Sequence, residues 1–259
     1  MRHFFLIATL IVAIFSTAFS KEAEEASPKE VLQKITFYTE SFPPFTYEDE
    51  KGVMEGYAVA VIERIFQNLK LSEPDFRLKV WDMAYMLTLV SKNPSALFLV
   101  SVTPAREKQF NFSDQILETR NAIYCNKNAK IKITSKADLL KYKYAVEKQD
   151  INISLLEALG VPEKNIIMLG SVEAAAEHIA AGHLDCMAFS QPVIEDITKE
   201  KGQITNNIEL IYELPPSIQA VAFNHKVSSV VIMLFNKALA DVLNDKAFIT
   251  DKKQQYGVK

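Results

Sequence analysis

The sequence lacks the short motifs by which nucleotide-binding proteins and serine hydrolases are recognised. Only 7 of its 259 residues are glycine, and GxGxxG, GxxxxGKS/T and GxSxG are all absent. A phosphate-cradling loop and the nucleophile elbow both need such glycines, because the backbone must turn sharply or come close to a ligand. Their absence argues against a nucleotide-binding protein and against an α/β-hydrolase.

Cysteine, histidine and basic runs are scarce as well. The chain has 2 cysteines and 4 histidines without a CxxC motif or a Cys/His cluster, so we expect neither a metal site nor another cofactor. The 29 Lys+Arg face 32 Asp+Glu, which gives a net charge of -3, and no Lys/Arg-rich segment occurs. We therefore expect no binding to nucleic acid.

The composition is that of a folded globular protein. Hydrophobic residues make up 49% of the chain and charged residues 24%, values that are ordinary for globular domains. The length fits one large domain or two smaller ones.

The N-terminus has the three parts of a secretory signal peptide. A basic start at Arg2 is followed by the apolar run 4–15 and by small residues at Ala18 and Ser20. We predict a signal peptide over 1–20 with cleavage after Ser20, and hence export. An uncleaved membrane anchor is the alternative reading of the same run. Residues 21–33 are charged and poor in apolar residues, which predicts a flexible lead-in.

The rest of the chain alternates between strand-like and helix-like segments. Two such series of roughly 100 residues each predict an α/β protein with two lobes and a mainly parallel sheet. The final helix is predicted over 229–244, where apolar residues recur at helical spacing. Ligands of such sheets bind beyond the carboxyl ends of the strands, here in a cleft between the lobes.

Cys125 and Cys186 both lie in predicted strands of the second series. In an exported protein they can form a disulfide. They can equally be two buried thiols that act as small hydrophobic side chains. The sequence alone does not supply the distance between them that would decide.

Four motifs occur in an order and spacing that resemble a known family. They are Phe42-Pro43-Pro44-Phe45-Thr46-Tyr47 with Gly52 and Gly56-Tyr57-x-Val59, the segment 101–114 with Thr103-Pro104-x-Arg106, Ala181-Gly182-His183-Leu184-Asp185-Cys186, and Tyr256-Gly257. Together they resemble the bacterial extracellular solute-binding proteins, family 3, which are the amino-acid-type receptors of ABC importers.

The resemblance implies a two-lobed type II periplasmic-binding-protein fold. Lobe 1 would comprise 34–118 and 222–259, and lobe 2 would comprise 119–221. Two crossovers, near 118–120 and 219–222, would form the hinge about which the lobes close over a ligand.

The same resemblance implies a function and partners. The protein would be a periplasmic, non-enzymatic receptor for a small polar molecule that carries a carboxylate, such as an amino acid or a related compound. Its partners would be that small-molecule ligand and an ABC permease in the inner membrane, and we expect a monomer.

Arg106 is the first candidate for a ligand contact, because the family's Arg at this position donates two parallel hydrogen bonds to the ligand carboxylate. The alternative is a surface Arg that pairs with Glu107 or Asp114. Thr103 would add a hydroxyl or a backbone N–H to the same carboxylate.

The aromatic candidates are Phe42 and Phe45 on the Pro-Pro loop, with one of the two expected in the core. Tyr47 and Trp81 are second-rank candidates for the cleft floor. Asp150 precedes a predicted helix, where it can contact the ligand or cap the helix.

Two positions depart from the family pattern. Ser190 stands where amino-acid receptors usually carry the Asp that pairs with the ligand's α-ammonium, and Ala60 stands where an acidic residue is frequent. A hydroxyl supplies no countercharge. These departures favour a ligand without a free ammonium, such as a carboxylate, a modified amino acid or another small polar molecule, and an ordinary amino acid stays the alternative.

Two other functions stay open. An enzyme on this scaffold, similar to cyclohexadienyl dehydratase, would need a general acid in the cleft, for which Glu147 and Asp150 are the candidates. A sensor would have to signal through a separate membrane protein.

Overall fold

The computed structural model describes residues 26–200 and 206–258 of the chain. The predicted signal peptide over 1–20, its cleavage site and residues 21–25 of the predicted lead-in lie outside the described residues. Within the described ranges, no helix combines the length and the apolar character that crossing a membrane requires.

The described helices alternate with strands along most of the chain. In chain order they are α1 Pro28–Gln33, α2 Tyr57–Leu69, α3 Trp81–Val90, α4 Pro104–Glu107, α5 Lys136–Leu139, α6 Ile151–Ala158, α7 Val172–Ala180, α8 Gln191–Glu200, α9 Ser229–Asn244 and α10 Lys246–Tyr256. The strands are β1 Thr36–Thr39, β2 Tyr47–Glu48, β3 Met54–Glu55, β4 Asp75–Leu78, β5 Ser95–Ser101, β6 Asn111–Phe112, β7 Leu117–Asn126, β8 Tyr144–Glu147, β9 Ile166–Leu169, β10 Cys186–Ser190 and β11 Ile208–Phe223.

Nine of these strands form one mixed sheet in the order β4-β1-β5-β11-β7-β10-β8-β9, with β6 beside β11. The strands β4, β1 and β5 are parallel at one end, and β10, β8 and β9 are parallel at the other. Between them, the long strands β7 and β11 run antiparallel to each other and to their outer neighbours. The expectation of a mainly parallel sheet is therefore right for each end and wrong for the centre.

The hydrophobic cores divide the molecule into two lobes. One group of buried side chains comes from residues within 31–117 and 221–258, and the other comes from within 122–214. Within the described ranges, the backbone passes from one group to the other only along β7 and β11, which lie side by side where Ser217 pairs with Thr119. The limits 34–118 with 222–259, and 119–221, stay predictions, as does a hinge at the two crossovers.

The predicted flexible lead-in is wrong for residues 28–33, which form α1. Ser27 accepts a hydrogen bond from the backbone N–H of Glu30, while the Glu30 carboxylate accepts one from the Ser27 N–H. This reciprocal cap, with Pro28 in the first turn, stabilises even a short helix. Leu32 is fully buried in the first lobe, so α1 is part of the folded domain.

Gly56 holds the Pro-Pro loop against α2. Its φ is 123°, and a Cβ added there would lie 2.3 Å from the backbone oxygen of Phe45. The same loop is fixed by two hydrogen bonds to the start of α2, from Tyr57 N to Pro44 O and from Ala58 N to Phe45 O. Only glycine permits both this φ and this close approach.

We therefore expect Gly56→Ala to lower the stability by about 3 kcal/mol or more, and the melting temperature by about 6–12 °C. Gly52→Ala is the matched control, since its φ is 75° and no atom lies within 4 Å of the added Cβ. The stability of the control should fall by only about 1 kcal/mol, which is the cost of a positive φ for a residue with a Cβ. Thermal unfolding compares the two, and equal losses would show that the close approach to Phe45 is unimportant.

Candidate functional site

A cavity of about 80 Å³ lies between the lobes, beyond the carboxyl ends of strands from both of them. Its lining residues follow β1, β4 and β9, belong to or follow β5, β8 and β10, or belong to β7 and β11. They are Glu40, Ser41, Phe42, Trp81, Leu99, Ser101, Arg106, Thr119, Asn121, Glu147, Asp150, Ile151, Val172, Phe189, Ser190, Val193 and Gln219. The cavity therefore lies where ligands of open α/β sheets bind.

Arg106 is the buried cation of this cavity. It belongs to α4 and is 8% exposed. Its Nη1 donates to the Ser101 carbonyl at 3.0 Å, its Nη2 donates to the Gln149 carbonyl at 2.8 Å, and its guanidinium carbon lies 5.3 Å from the centre of the Trp81 ring. The alternative of a surface Arg paired with Glu107 or Asp114 is wrong. Burial lowers the pKa of this guanidinium, and the negative charges of Asp150 and Glu40 oppose that shift.

Thr103 positions Arg106 instead of lining the cavity. Its Oγ1 accepts a hydrogen bond from the Arg106 backbone N–H at 3.2 Å and so caps α4. The proline that follows it is well suited to a first helical turn, because its missing N–H is not needed there. A ligand contact by Thr103 stays a prediction that this position does not favour.

The two phenylalanines of the Pro-Pro loop have different environments. Phe45 is 3% exposed and packs in the core of the first lobe, whereas Phe42 lines the cavity, with 5.1 Å between the two ring centres. One core residue and one cavity residue is the division that the sequence predicted. Phe45 is thus a core residue that does not line the cavity, and Phe42 is the one that faces it.

Trp81 and Tyr47 also lie in different places. Trp81 begins α3, lines the cavity and is 7% exposed. Tyr47, on the β2–β3 hairpin, lines a separate hollow with Asp196 and Tyr256. The structure therefore brings Trp81 to Arg106 and leaves Tyr47 outside the cavity.

Asp150 caps its helix, which is one of the two roles that its position suggested, and its contact with a ligand stays a prediction. Its Oδ1 accepts hydrogen bonds from the backbone N–H and the side-chain amide of Asn152, at 2.7 and 2.6 Å, and so caps α6. The same side chain lines the cavity. Burial raises the pKa of this carboxyl, against the opposing effects of the Asn152 hydrogen bonds and of Arg106.

Two further acidic residues, Glu40 and Glu147, line the cavity. The sequence did not point to Glu40, and it pointed to Glu147 only as the general acid of an enzyme. Glu40 directly follows β1, and its pKa lies well above the usual range because of burial and the nearby charges of Glu147 and Asp150. Glu147 ends β8, and burial, followed by the charge of Asp150, raises its pKa to about 7. Their place at strand ends is a signal that could have identified both.

Ser190 ends β10 at the cavity, and its buried Oγ has no hydrogen-bond partner among the described residues. Ala60, the other departure from the family pattern, is buried within α2. Because Ser190 carries no charge, the sequence favoured a ligand without an ammonium over an ordinary amino acid. Three carboxyl groups line the same cavity, and they can supply the countercharge that Ser190 lacks.

The crossover strands contribute neutral polar groups that the sequence did not predict. Gln219 on β11 donates from Nε2 to Ser101 Oγ at 2.9 Å and to Thr119 Oγ1 at 2.8 Å. Asn121 on β7 donates to Ser217 Oγ at 2.7 Å. These bonds hold the cavity floor in place, because each joins two different strands.

Two contacts bridge the lobes across the mouth of the cavity. One is the hydrogen bond from Arg106 to the Gln149 carbonyl, and the other is an ion pair of 3.2 Å between Lys148 Nζ and Asp82 Oδ2. Gln149 has a φ of 62°, which turns the chain between β8 and α6. The lobes are thus drawn together around the cavity.

Comparison with known proteins agrees with this architecture. The model of the bacterial extracellular solute-binding proteins, family 3, matches residues 35–255. A probable amino-acid ABC transporter-binding protein of Haemophilus influenzae (strain ATCC 51907 / DSM 11121 / KW20 / Rd) is 28% identical over 110 residues. That match spans 42% of this chain and 42% of the length of the curated relative.

Solved structures show the same fold at low sequence identity. EhuB in complex with hydroxyectoine has a TM-score of 0.76 and 18% identity, with 90% of this chain and 92% of that chain covered. A histidine kinase sensor domain with similarity to periplasmic binding proteins has a TM-score of 0.75 and 19% identity, with 86% and 95% covered. At these identities the likeness establishes the fold alone.

Proposed function

This chain belongs to the bacterial extracellular solute-binding proteins, family 3, and on that basis we propose that it captures an amino acid or a close relative in the periplasm for an ABC-type importer. The buried guanidinium of Arg106 in the cavity between the lobes is the observation that carries this proposal. The signal-peptide pattern over 1–20 supports export. The amino-acid ABC transporter-binding relative supports the ligand class and the permease partner.

Arg106 would bind the carboxylate of the ligand. No hydrogen bond of this side chain is found in the described part of the protein beyond those to Ser101 and Gln149. The remaining N–H groups of the planar fork can therefore donate in parallel to two carboxylate oxygens. Trp81 packs against the guanidinium, which holds the fork in one orientation.

The carboxyl group of Asp150 would bind the ligand's ammonium from the second lobe, and the free Oγ of Ser190 can accept one of its N–H groups. The Phe42 ring would form the apolar wall on the side of the first lobe. A ligand held by both lobes favours the closed form, because it binds that form better than the open one.

The first test is thermal unfolding of the chain from Lys21 onward, unfolded and refolded to remove bound ligand. A panel of amino acids, organic acids, amines and small peptides is then added. A true ligand at about 100 times its Kd should stabilise the protein by about 2.7 kcal/mol, which raises the melting temperature by about 5–11 °C. An absence of any shift with amino acids and their relatives would contradict the proposal. Co-purification with a permease would separate an importer from a sensor.

An enzyme on the same scaffold is the second candidate, and one observation favours it. The pKa of Glu147 is raised to about 7, and a carboxylic acid that titrates near neutral pH suits general acid catalysis. The reaction would be an elimination on a cyclohexadienyl acid. Incubation with such a substrate, followed by absorbance of the aromatic product, separates the two functions, since a receptor returns its ligand unchanged.

A further inference from the structure

We propose that Glu40 and Glu147 form a cation clamp across the cleft, which selects a ligand with one carboxylate and two cationic nitrogen groups. This inference rests on the proposed function of the same cavity and specifies the class of its ligand. The two residues come from different lobes, since Glu40 follows β1 and Glu147 ends β8. Closure of the lobes brings both carboxyl groups to one cavity.

The charges that line the cavity are unbalanced. Among the described residues that line the cavity, Arg106 is the only cationic side chain, whereas Glu40, Glu147 and Asp150 are all acidic. Lys148, which follows Glu147 on the second lobe, does not line the cavity and forms an ion pair with Asp82. A ligand with one carboxylate and one ammonium would occupy Arg106 and one acidic residue. A second cationic group is needed to engage the others.

Two unpartnered polar groups show independently that the cavity is built to hold a ligand. Trp81 is 7% exposed and lines the cavity, and its Nε1–H has no hydrogen-bond partner among the described residues. The Oγ of Ser190 is buried in the same cavity without a partner. Buried polar groups are rarely left unpaired, because each unmade hydrogen bond costs free energy. A bound polar molecule would satisfy them.

The electrostatic environment of the clamp agrees with this geometry. Glu40 faces the negative charges of Glu147, Asp150 and Asp82 and the positive charge of Arg106, and its pKa is raised. Besides Asp150 and Asp82, Glu147 also faces Glu173. Like charges brought together in a closing cleft repel each other and favour protonation. A cationic group placed between them replaces those protons.

The test compares L-lysine with L-norleucine, which has the same chain length but no second ammonium. Titration calorimetry of the refolded protein at pH 8 should give at least about 30-fold tighter binding for lysine, as expected for a buried charge pair. The variant E147Q should bring the two affinities within about threefold of each other. Glu173→Gln is the matched control, because Glu173 is near Glu147 but does not line the cavity, and it should keep the preference.

The pH dependence gives a readout that a structural defect would not produce. Between pH 8 and pH 6 a proton competes with the ligand cation for Glu147, so the affinity for lysine should fall about tenfold and that of E147Q should change little. Equal affinities for lysine and norleucine would overturn the clamp and leave the proposed function intact. Binding of lysine that E147Q does not weaken would also overturn it. If no amino acid binds at all, the proposed function fails, and the clamp fails with it.

Discussion

Replacement of Arg106 by alanine should weaken ligand binding by at least about 30-fold and up to several thousandfold. Removing one partner of a buried charge pair costs about 2–5 kcal/mol, and much of this cost comes from the other charge being left buried and unpaired. Arg106 meets this condition because it is 8% exposed and lies in the cavity between the lobes. In the variant, a ligand carboxylate would enter the cavity without a countercharge and next to acidic side chains.

Arg106→Lys separates the charge of this residue from its shape. A lysine keeps the positive charge but loses the planar fork, and it cannot donate to two carboxylate oxygens in parallel. It also cannot reproduce the two hydrogen bonds to the carbonyls of Ser101 and Gln149, which lie in different lobes. We expect an affinity between those of the wild type and the alanine variant.

Arg77→Ala is the control for the loss of an arginine as such. The Arg77 side chain is 59% exposed and pairs with Asp75 on the surface, where an ion pair contributes at most about 1 kcal/mol. Binding by this variant should equal that of the wild type. Titration calorimetry gives the affinities, and thermal unfolding without ligand shows whether each variant is folded. If folded Arg106→Ala binds as tightly as the wild type, Arg106 does not hold the ligand.

The second large effect should come from loss of the disulfide between Cys125 and Cys186. These residues face each other on the antiparallel strands β7 and β10, with their Cα atoms 4.1 Å apart. They are 61 residues apart in sequence. Closing a loop of that size restricts the unfolded chain and stabilises the protein by about 4 kcal/mol in the chain-entropy model. Both side chains are fully buried.

We therefore expect Cys125→Ala with Cys186→Ala to lower the melting temperature by about 8–16 °C. The double variant keeps small side chains at both buried positions, so that most of the loss comes from the missing crosslink. A reductant added to the unfolded wild type should lower the stability of the refolded protein by a similar amount, and it should not affect the double variant. Two free thiols in the denatured, unreduced protein would instead support the alternative of buried cysteines.

Secondary structure was predictable where the local pattern is strong. The helix over 229–244 has the bounds that the sequence predicted, and the strands Tyr144–Glu147 and Ile166–Leu169 belong to the second alternating series. In each of them the apolar residues follow the period of the element or form a short continuous run between turn residues. Such signals depend on neighbouring residues only, and so they can be read without the tertiary structure.

The elements that were missed have weaker or misleading local patterns. The charge of the segment Pro28–Gln33 predicts a flexible lead-in, although Ser27 before it and Glu30 within it form a capping box. The helix Lys246–Tyr256 has no fully buried residue in the structure, so its sequence shows little apolar periodicity. Charge in a short segment predicts exposure, but it does not exclude a helix that packs through a single leucine.

By itself, the sequence determined the family and the two-lobed α/β fold, and it pointed to Arg106 as the first candidate for a ligand contact, because these depend on motifs and on local periodicity. Only the tertiary structure decided which polar groups share the cavity with Arg106. Glu40, Glu147 and Gln219 lie far apart in the chain, and they meet because the carboxyl ends of strands from both lobes converge on one space. Pairing between β7 and β11 and the closure of the lobes create that convergence, and no local pattern in the sequence records it.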